Sequence, residues 1–302
     1  MSITITGAGG FLGQRVTKIL AERGETLVLA DIVPPANPPA GAKVLTGNLA
    51  QTLNEAITAE TTAVIHLAAV VSAGAEADFE AGYRVNLTGL RATLERCRAL
   101  GTNPKFLFTS SLAVFGAVDS VDDHTATMPQ SSYGTQKALG ELLVNDYSRK
   151  GFIQGRTLRL PTVVIRPGKP NAAASSFASG ILREPLAGEE SICPVPEDLA
   201  LWIASPASVT QALVHALDLP DEALAPWRVL NVPGITVTVR EMVAALGRAG
   251  GDTGLVKFRH DPAIDAIVGS WPAHFVTPRA DAMGFPPADD LDTLIRNHIN
   301  GL

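Results

Sequence analysis

The chain has 302 residues, enough for one large α/β unit or two modest domains, and 46% hydrophobic against 18% charged residues exclude a disordered chain. A formal net charge of −6 leaves no basic footprint for nucleic acid. Cys97 and Cys193 are far apart and lack C-x-x-C spacing, so neither a disulfide framework nor a zinc site is expected, and reducing cytoplasm is the expected compartment.

Residues 2–6 form a β-branched run that ends at Gly7-Ala8-Gly9-Gly10-Phe11-Leu12-Gly13, and a helix pattern then continues to about Gly24. No basic segment followed by an apolar one precedes that strand, and no apolar run reaches the ~18 residues that would suggest a membrane span. Strand, glycine turn and helix in this order suit a pyrophosphate. Glycines tighten the turn, let backbone N–H groups approach the phosphates and let the helix pack on the strand. The glycines fall at 7, 10 and 13, with Leu12 where the last glycine of G-x-G-x-x-G would stand. The next strand, residues 26–30, ends in Asp31, where a carboxylate suits ribose hydroxyls and repels a 2′-phosphate. NAD is therefore expected over NADP; the plainer reading of Asp31 is a turn residue.

A proline-rich loop at 34–41 precedes a short strand at Val44-Leu45, and Asn48-Leu49 follow where the adenine edge is expected. A fourth strand, 62–66, leads into Leu67-Ala68-Ala69, whose small residues would let phosphates and ribose lie close to the backbone. His66, at an apolar strand end, reads as a packed histidine and not a ligand. One long helix is expected over about 76–99, carrying Asn86. The fifth strand, 105–109, delivers Ser110-Ser111 at its C-terminal end, where open α/β sheets place their ligands.

Tyr133 and Lys137 lie one turn apart on the next helix. A tyrosine is a poor base at its ordinary pKa of about 10, and a neighbouring ammonium eases formation of its phenolate. With a serine hydroxyl to hold the substrate oxygen, the pair makes a general base for an alcohol proton. By itself, the same spacing also describes a solvated surface pair. A sixth strand at 157–160 completes an alternation of strands and helices over residues 1–165, read as a Rossmann-type α/β domain with a doubly wound parallel sheet. After Pro161 the elements shorten: a turn-rich passage at 165–171, a helix at 172–182, a strand at 199–203 and a helix at 206–217. A strand at 229–232, a helix at 239–249 and a last helix ending near 300 follow. Residues 166–302 are expected to form a smaller α+β substrate lobe, some of whose late elements pack back on the first sheet.

Together these residues resemble the extended short-chain dehydrogenase/reductase superfamily over the whole chain. The motifs that carry the resemblance are Gly7-x-x-Gly10-x-x-Gly13, Asp31, Leu67-Ala68-Ala69, Asn86, Ser111, Tyr133-x-x-x-Lys137 and Leu160-Pro161-Thr162. Within the superfamily, residues 131–148 and 158–171, continuing through Ser175-Ser176-Phe177 to Arg183-Glu184-Pro185-Leu186, look like the D-erythronate dehydrogenase family. Phe115 departs from the tyrosine that many epimerases carry in a V-Y-G segment, and Asn48 replaces an aspartate often found at the adenine edge.

The resemblance implies NAD as cofactor and oxidation of the C2 hydroxyl of a short sugar acid. Tyr133 would be the base, Ser111 the donor to the substrate oxygen, Lys137 the partner of phenolate and nicotinamide ribose, and Asn86 a support of the lysine through a proton-relay water. Phe11, Leu12, Pro161 and Thr162 join the cofactor-binding set. For the acid and its hydroxyls the candidates are Lys169, the start of a helix near Ala172 capped by Asn171, and Ser72, Thr162, Ser175, Ser176 and Arg279. Each has a plainer reading as cap, loop charge or surface ion pair. Two rivals stay open. A nucleotide-sugar epimerase or dehydratase would use the same cofactor and aim Arg166, Lys169 and Arg183 at a diphosphate, and a sensor would bind NAD without chemistry. The helices at 76–99 and 131–150 are candidates for a four-helix homodimer contact.

Overall fold

The computed structural model describes residues 1–168 and 173–301; Lys169 and Asn171 lie outside the described residues. The first half of the chain supplies β1 (Ser2–Thr6), β2 (Leu27–Asp31), β3 (Lys43–Thr46), β4 (Thr61–His66), β5 (Lys105–Ser111) and β6 (Gln154–Leu160). The second half supplies β7 (Thr162–Val163), β8 (Ser191–Cys193), β9 (Ala200–Ala204), β10 (Val229–Asn231), β11 (Ile235–Thr238) and β12 (Val256–Phe258). A parallel seven-stranded sheet runs in the order β10-β6-β5-β4-β1-β2-β3. β2 lies on one side of β1 and β4 on the other, so the chain reverses its winding there and leaves a crevice at the strands' C-terminal ends.

The helices of the first half are α1 (Phe11–Glu22), α2 (Leu49–Ala56), α3 (Ser72–Ala77), α4 (Phe79–Gly82), α5 (Leu90–Leu100) and α6 (Ser132–Arg149); α7 (Ser176–Leu186), away from this sheet, and α8 (Pro206–Asp218), on it, follow. Both sheet faces are covered, which is why the strands read as near-continuous apolar runs. Ile3, Ile5 and Leu29 pack with Val16 and Leu20 of α1 and with Val209 and Leu213 of α8. On the opposite face Val28, Val64, Phe106 and Phe108 pack with Leu53 of α2, Leu90 and Leu94 of α5 and Val144 of α6. A separate core joins Val164, Ile165, Ile181, Leu182, Leu201, Ile203, Met242, Leu246 and Ile295. β10 and α8 come from the second half of the chain but belong to the first sheet and its core.

Two expected elements differ from the sequence reading. The helix placed at about 76–99 is broken. α3 ends at Asp78, whose side chain accepts from the Ala81 N–H at 2.9 Å and restarts the helix as α4. The chain then widens into a π-helical stretch, Tyr83–Gly89, before α5. Likewise α7 starts at Ser176 with Ser175 in the cap position, later than the start expected near Ala172. Among the described residues no helix is long and apolar enough to cross a membrane, and no group of three His, Cys, Asp or Glu could hold a metal ion.

Candidate active site

The turn after β1 is built by contact. A Cβ on Gly13 would stand 2.3 Å from the Gly7 carbonyl oxygen, and one on Gly7 would stand 2.6 Å from the Ala68 nitrogen. Gly7 also takes φ +74°, a left-handed conformation natural to glycine. The result brings β1, the start of α1 and the segment after β4 together. Gly10 caps α1 without a side-chain hydrogen bond, and its first turn carries no acidic residue. The helix N-terminus therefore presents unopposed N–H groups, which suits a pyrophosphate.

At the end of β2, Asp31 Oδ2 accepts from the Gly9 N–H at 2.8 Å and Oδ1 from the Val33 N–H at 3.1 Å. The carboxylate is fixed in orientation and retains lone pairs for ribose hydroxyls. Gly9 was not singled out in the sequence because it lies between the motif glycines; a Cβ there would stand 2.0 Å from the Val33 carbonyl oxygen. Phosphate cradle and ribose carboxylate together fit NAD. Replacing Asp31 by Ala is expected to reduce the preference for NAD over NADP by ~10–100-fold, the worth of charge-assisted hydrogen bonds. Comparing kcat/KM for the two cofactors checks it, and an unchanged ratio would remove Asp31 from the ribose site.

A cleft of about 310 Å³ opens from this turn towards α6. Its walls include Gly7, Gly10, Phe11, Leu12, Gly13, Leu67 and Ala69 on one side. Ser111, Tyr133, Lys137, Pro161, Thr162, Ser72 and Ser175 line the remainder. So the glycine turn, the three members of the expected triad and three of the expected substrate hydroxyls meet, from six separate segments of chain. Arg166 and Trp271 are among the further residues that line the cleft. Trp271 carried no sequence signal, and Arg166 was legible only as a cation for a diphosphate in the epimerase reading.

α6 is started by Ser131, whose hydroxyl accepts from the Gly134 N–H at 3.1 Å, and this sets the angle at which Tyr133 enters the cleft. Burial pushes the Tyr133 phenol up to about 12, while a hydrogen bond with Ser111 and the charge of Arg166 pull it down. Burial brings the Lys137 ammonium down to about 8, against the opposing pull of Glu141. Lys137 Nζ donates to the Thr109 carbonyl at 2.8 Å and lies 5.6 Å from the centre of the Tyr133 ring. Arg166 thus adds a second cation to the Lys137 ammonium expected beside the phenol from its spacing.

Beneath the cleft, Arg159 forms a two-pronged pair with Glu141 at 2.8 and 2.7 Å, and Ser110 Oγ donates to the same carboxylate at 2.6 Å. Both charged side chains are almost fully buried. Glu141 follows Lys137 by one helical turn on the Tyr133 stripe, so its position was visible in the sequence, but its partner on β6 was not. Phe115 is fully buried, with the Arg159 guanidinium 4.6 Å from its ring centre. The ring where epimerases carry tyrosine here serves packing.

His66 is 1% exposed, and burial, reinforced by the Lys137 charge, lowers it to about 3. It is neutral at physiological pH, as a packed histidine should be. Asn86 is buried and holds both backbone groups of Val70, accepting from its N–H at 2.8 Å and donating to its carbonyl at 2.9 Å. It also donates to Gln136 Oε1 at 2.7 Å. Asn86 therefore braces the segment after β4 against α6 through Val70 and Gln136.

Other expectations need correcting. The Arg279 guanidinium donates to the carbonyls of Val229, Leu224 and Trp227, and it borders a different cavity, beside Pro226 and Trp227. It ties β10 to the helix Pro278–Ala282 and is not at the cleft. Asn48 caps α2 in a reciprocal pair with Gln51, so the amide oxygen expected at adenine already serves the helix. Leu49 is the first residue of α2, and neither lines the cleft. Ser176 sits at the start of α7, beyond Ser175.

A family model described as the NAD-dependent epimerase/dehydratase family matches residues 3–219. The chain belongs to this family. NAD is its cofactor, as the cradle and Asp31 fit. A D-erythronate dehydrogenase of Cupriavidus necator is 48% identical over 99% of this chain and 98% of its own length. Another, of Haemophilus influenzae, is 45% identical over 99% of both. A crystal structure of a nucleoside-diphosphate-sugar epimerase from Agrobacterium tumefaciens is 40% identical and superposes with a TM-score of 0.92, covering 99% of this chain and 94% of that one. The parallel sheet with helices on both faces is the fold expected from the sequence. With full-length relatives of this kind, the chain is an NAD-dependent dehydrogenase.

Proposed function

We propose that this protein oxidises the C2 hydroxyl of D-erythronate to 2-dehydro-D-erythronate. The observation that carries the reading is the near-complete match to two D-erythronate dehydrogenases combined with Ser111, Tyr133 and Lys137 around one cleft. Bound NAD supplies the hydride acceptor. Tyr133 removes the hydroxyl proton as the C2–H bond breaks, and Ser111 donates to the same oxygen as it becomes a carbonyl. A phenol raised to about 12 needs nearby positive charge to act as a base at neutral pH. Arg166 supplies it directly, and Lys137, cationic below about 8, adds to the field. Phe11, Leu12 and Gly13 hold the phosphates, Asp31 the adenosine ribose, and Lys137 the nicotinamide ribose.

The substrate lobe proposed for residues 166–302 contributes Arg166, Ser175 and Trp271 to the cleft. Leu139 and Leu142 stand exposed on α6 and support a homodimer through that helix, which sedimentation would measure. The buried free thiols of Cys97 and Cys193 suit a reducing cytoplasm.

A second reading, nucleotide-sugar epimerisation, is favoured by the name of the Agrobacterium relative. Of the cations that would meet a diphosphate, however, Arg183 is already paired with Glu184 and donates to the Arg166 carbonyl. The deciding assay follows NADH from NAD with D-erythronate, L-threonate, D-threonate and a UDP-hexose. Steady NADH from D-erythronate is expected. Interconversion of the UDP-hexose without net NADH would reverse the assignment.

A further inference from the structure

We infer that the Arg166 guanidinium, with the Ser175 hydroxyl beside it, grips the substrate's C1 carboxylate and thereby selects short 2-hydroxy acids. This rests on the proposed function and adds the residues that recognise the acid.

Charge is the first reason. Of the described side chains that wall the cleft only Lys137 and Arg166 are cationic, and none is a carboxylate. Lys137 is committed: its ammonium is buried, hydrogen-bonded to the Thr109 carbonyl and set against the Phe108 ring at 4.8 Å. The Arg166 guanidinium has neither an ion pair nor a hydrogen bond among the described residues, whereas two other arginines are engaged. Arg183 pairs with Glu184, and Arg159 with Glu141. A half-buried guanidinium without a partner is expensive to keep, and a carboxylate matches its planar fork in two parallel hydrogen bonds.

Fixation is the second. The Arg166 N–H donates to Ser179 Oγ at 3.0 Å and its carbonyl accepts from Arg183 Nη1 at 2.5 Å. Both partners are on α7, so the backbone under the free side chain is pinned to a packed helix. Ser175 occupies the cap position of that helix, is 9% exposed and makes no side-chain cap hydrogen bond. Its hydroxyl lines the cleft instead. The segment leading into α7 is tied down separately, since the Ala174 N–H donates to Ser72 Oγ at 2.9 Å. A guanidinium and a serine, neither with a side-chain hydrogen bond among the described residues, thus line one cleft near the α7 N-terminus.

Distance from the chemistry is the third. Arg166 and Tyr133 line the same cleft, and the guanidinium charge acts on the phenol. In a 2-hydroxy acid the carboxylate is bonded to the carbon that carries the reacting hydroxyl. An anion held at Arg166 therefore keeps the C2 hydroxyl in the cleft that Tyr133 and Ser111 also line. The same contact explains how the acid brings its own partner for Arg166 into a cleft that lacks one.

The test separates binding from turnover. Wild type, Arg166→Met, Arg166→Lys and Ser175→Ala, each loaded with NADH, are titrated with D-erythronate, L-threonate and the neutral amide D-erythronamide. Arg166→Met is expected to weaken both acids by at least ~30-fold, with the amide and NADH unaffected, as for loss of one member of a buried charge pair. Arg166→Lys should recover part of the loss, since it keeps the charge without the fork, and its recovery also shows that the cleft is folded. Ser175→Ala should cost the acids a few-fold. Equal affinity of wild type and Arg166→Met for the acids, or a wild type that binds neither acid, would overturn the inference. Arg166-dependent binding without NADH formation from D-erythronate would leave the anchor standing and overturn the substrate assignment alone.

Discussion

Replacing Tyr133 by Phe is expected to lower kcat by ~10²–10⁴-fold, the usual contribution of a positioned acid/base group, while NADH affinity stays within a few-fold. The substitution removes one oxygen and keeps the ring. α6 is still capped by Ser131, and the Lys137 ammonium still faces the ring from 5.6 Å. What disappears is the phenol placed to take the alcohol proton: His66 is neutral and buried, and among the described residues no Asp or Glu lines the cleft. Single-turnover absorbance of NADH, with NADH fluorescence for binding, measures both halves. Undiminished turnover in the variant would remove Tyr133 from the chemistry.

Glu141→Ala should destabilise the fold by ~3–5 kcal/mol, because it leaves the Arg159 guanidinium buried with its charge uncompensated. Ser110 Oγ loses its acceptor as well. Urea unfolding gives the loss, and a double variant, Glu141→Leu with Arg159→Met, should recover most of it because an apolar pair of similar volume needs no partner. A second effect separates this pair from a purely structural brace. The Glu141 charge holds the Lys137 ammonium up against burial, so its removal lowers Lys137 further below about 8. The ammonium is then lost at lower pH, and the alkaline limb of the rate profile should move down with it. A rate profile that stays in place while stability falls would show that Glu141 does not act on Lys137.

The cofactor half of the site was legible because its determinants are local. Gly7 and Gly13 are dictated by contacts within one strand–turn–helix unit, Asp31 by the end of the next strand, and Tyr133 with Lys137 by the period of one helix. The substrate half was less legible. Arg279 and Arg166 look alike in the sequence, each a cation beside proline in a turn-rich stretch. Three backbone carbonyls of one stretch distant in sequence, residues 224–229, consume the first, and among the described residues none reaches the second. Asn86 was found by its motif, but its partners Val70 and Gln136 depend on a π-helical widening that no residue pattern announced.

The sequence by itself determined the parallel α/β architecture, the NAD cradle and the base with its lysine, since strand and helix periods, glycine sterics and one-turn spacing act over a few residues. The tertiary structure decided which polar side chains are spent and which stay free. It pairs Glu141 with Arg159 across α6 and β6, packs β10 and α8 back on the first sheet, and leaves Arg166 and Ser175 open to the cleft. Charge compensation and burial are properties of segments brought together by folding, and a charged residue's neighbours in space are not its neighbours in the chain.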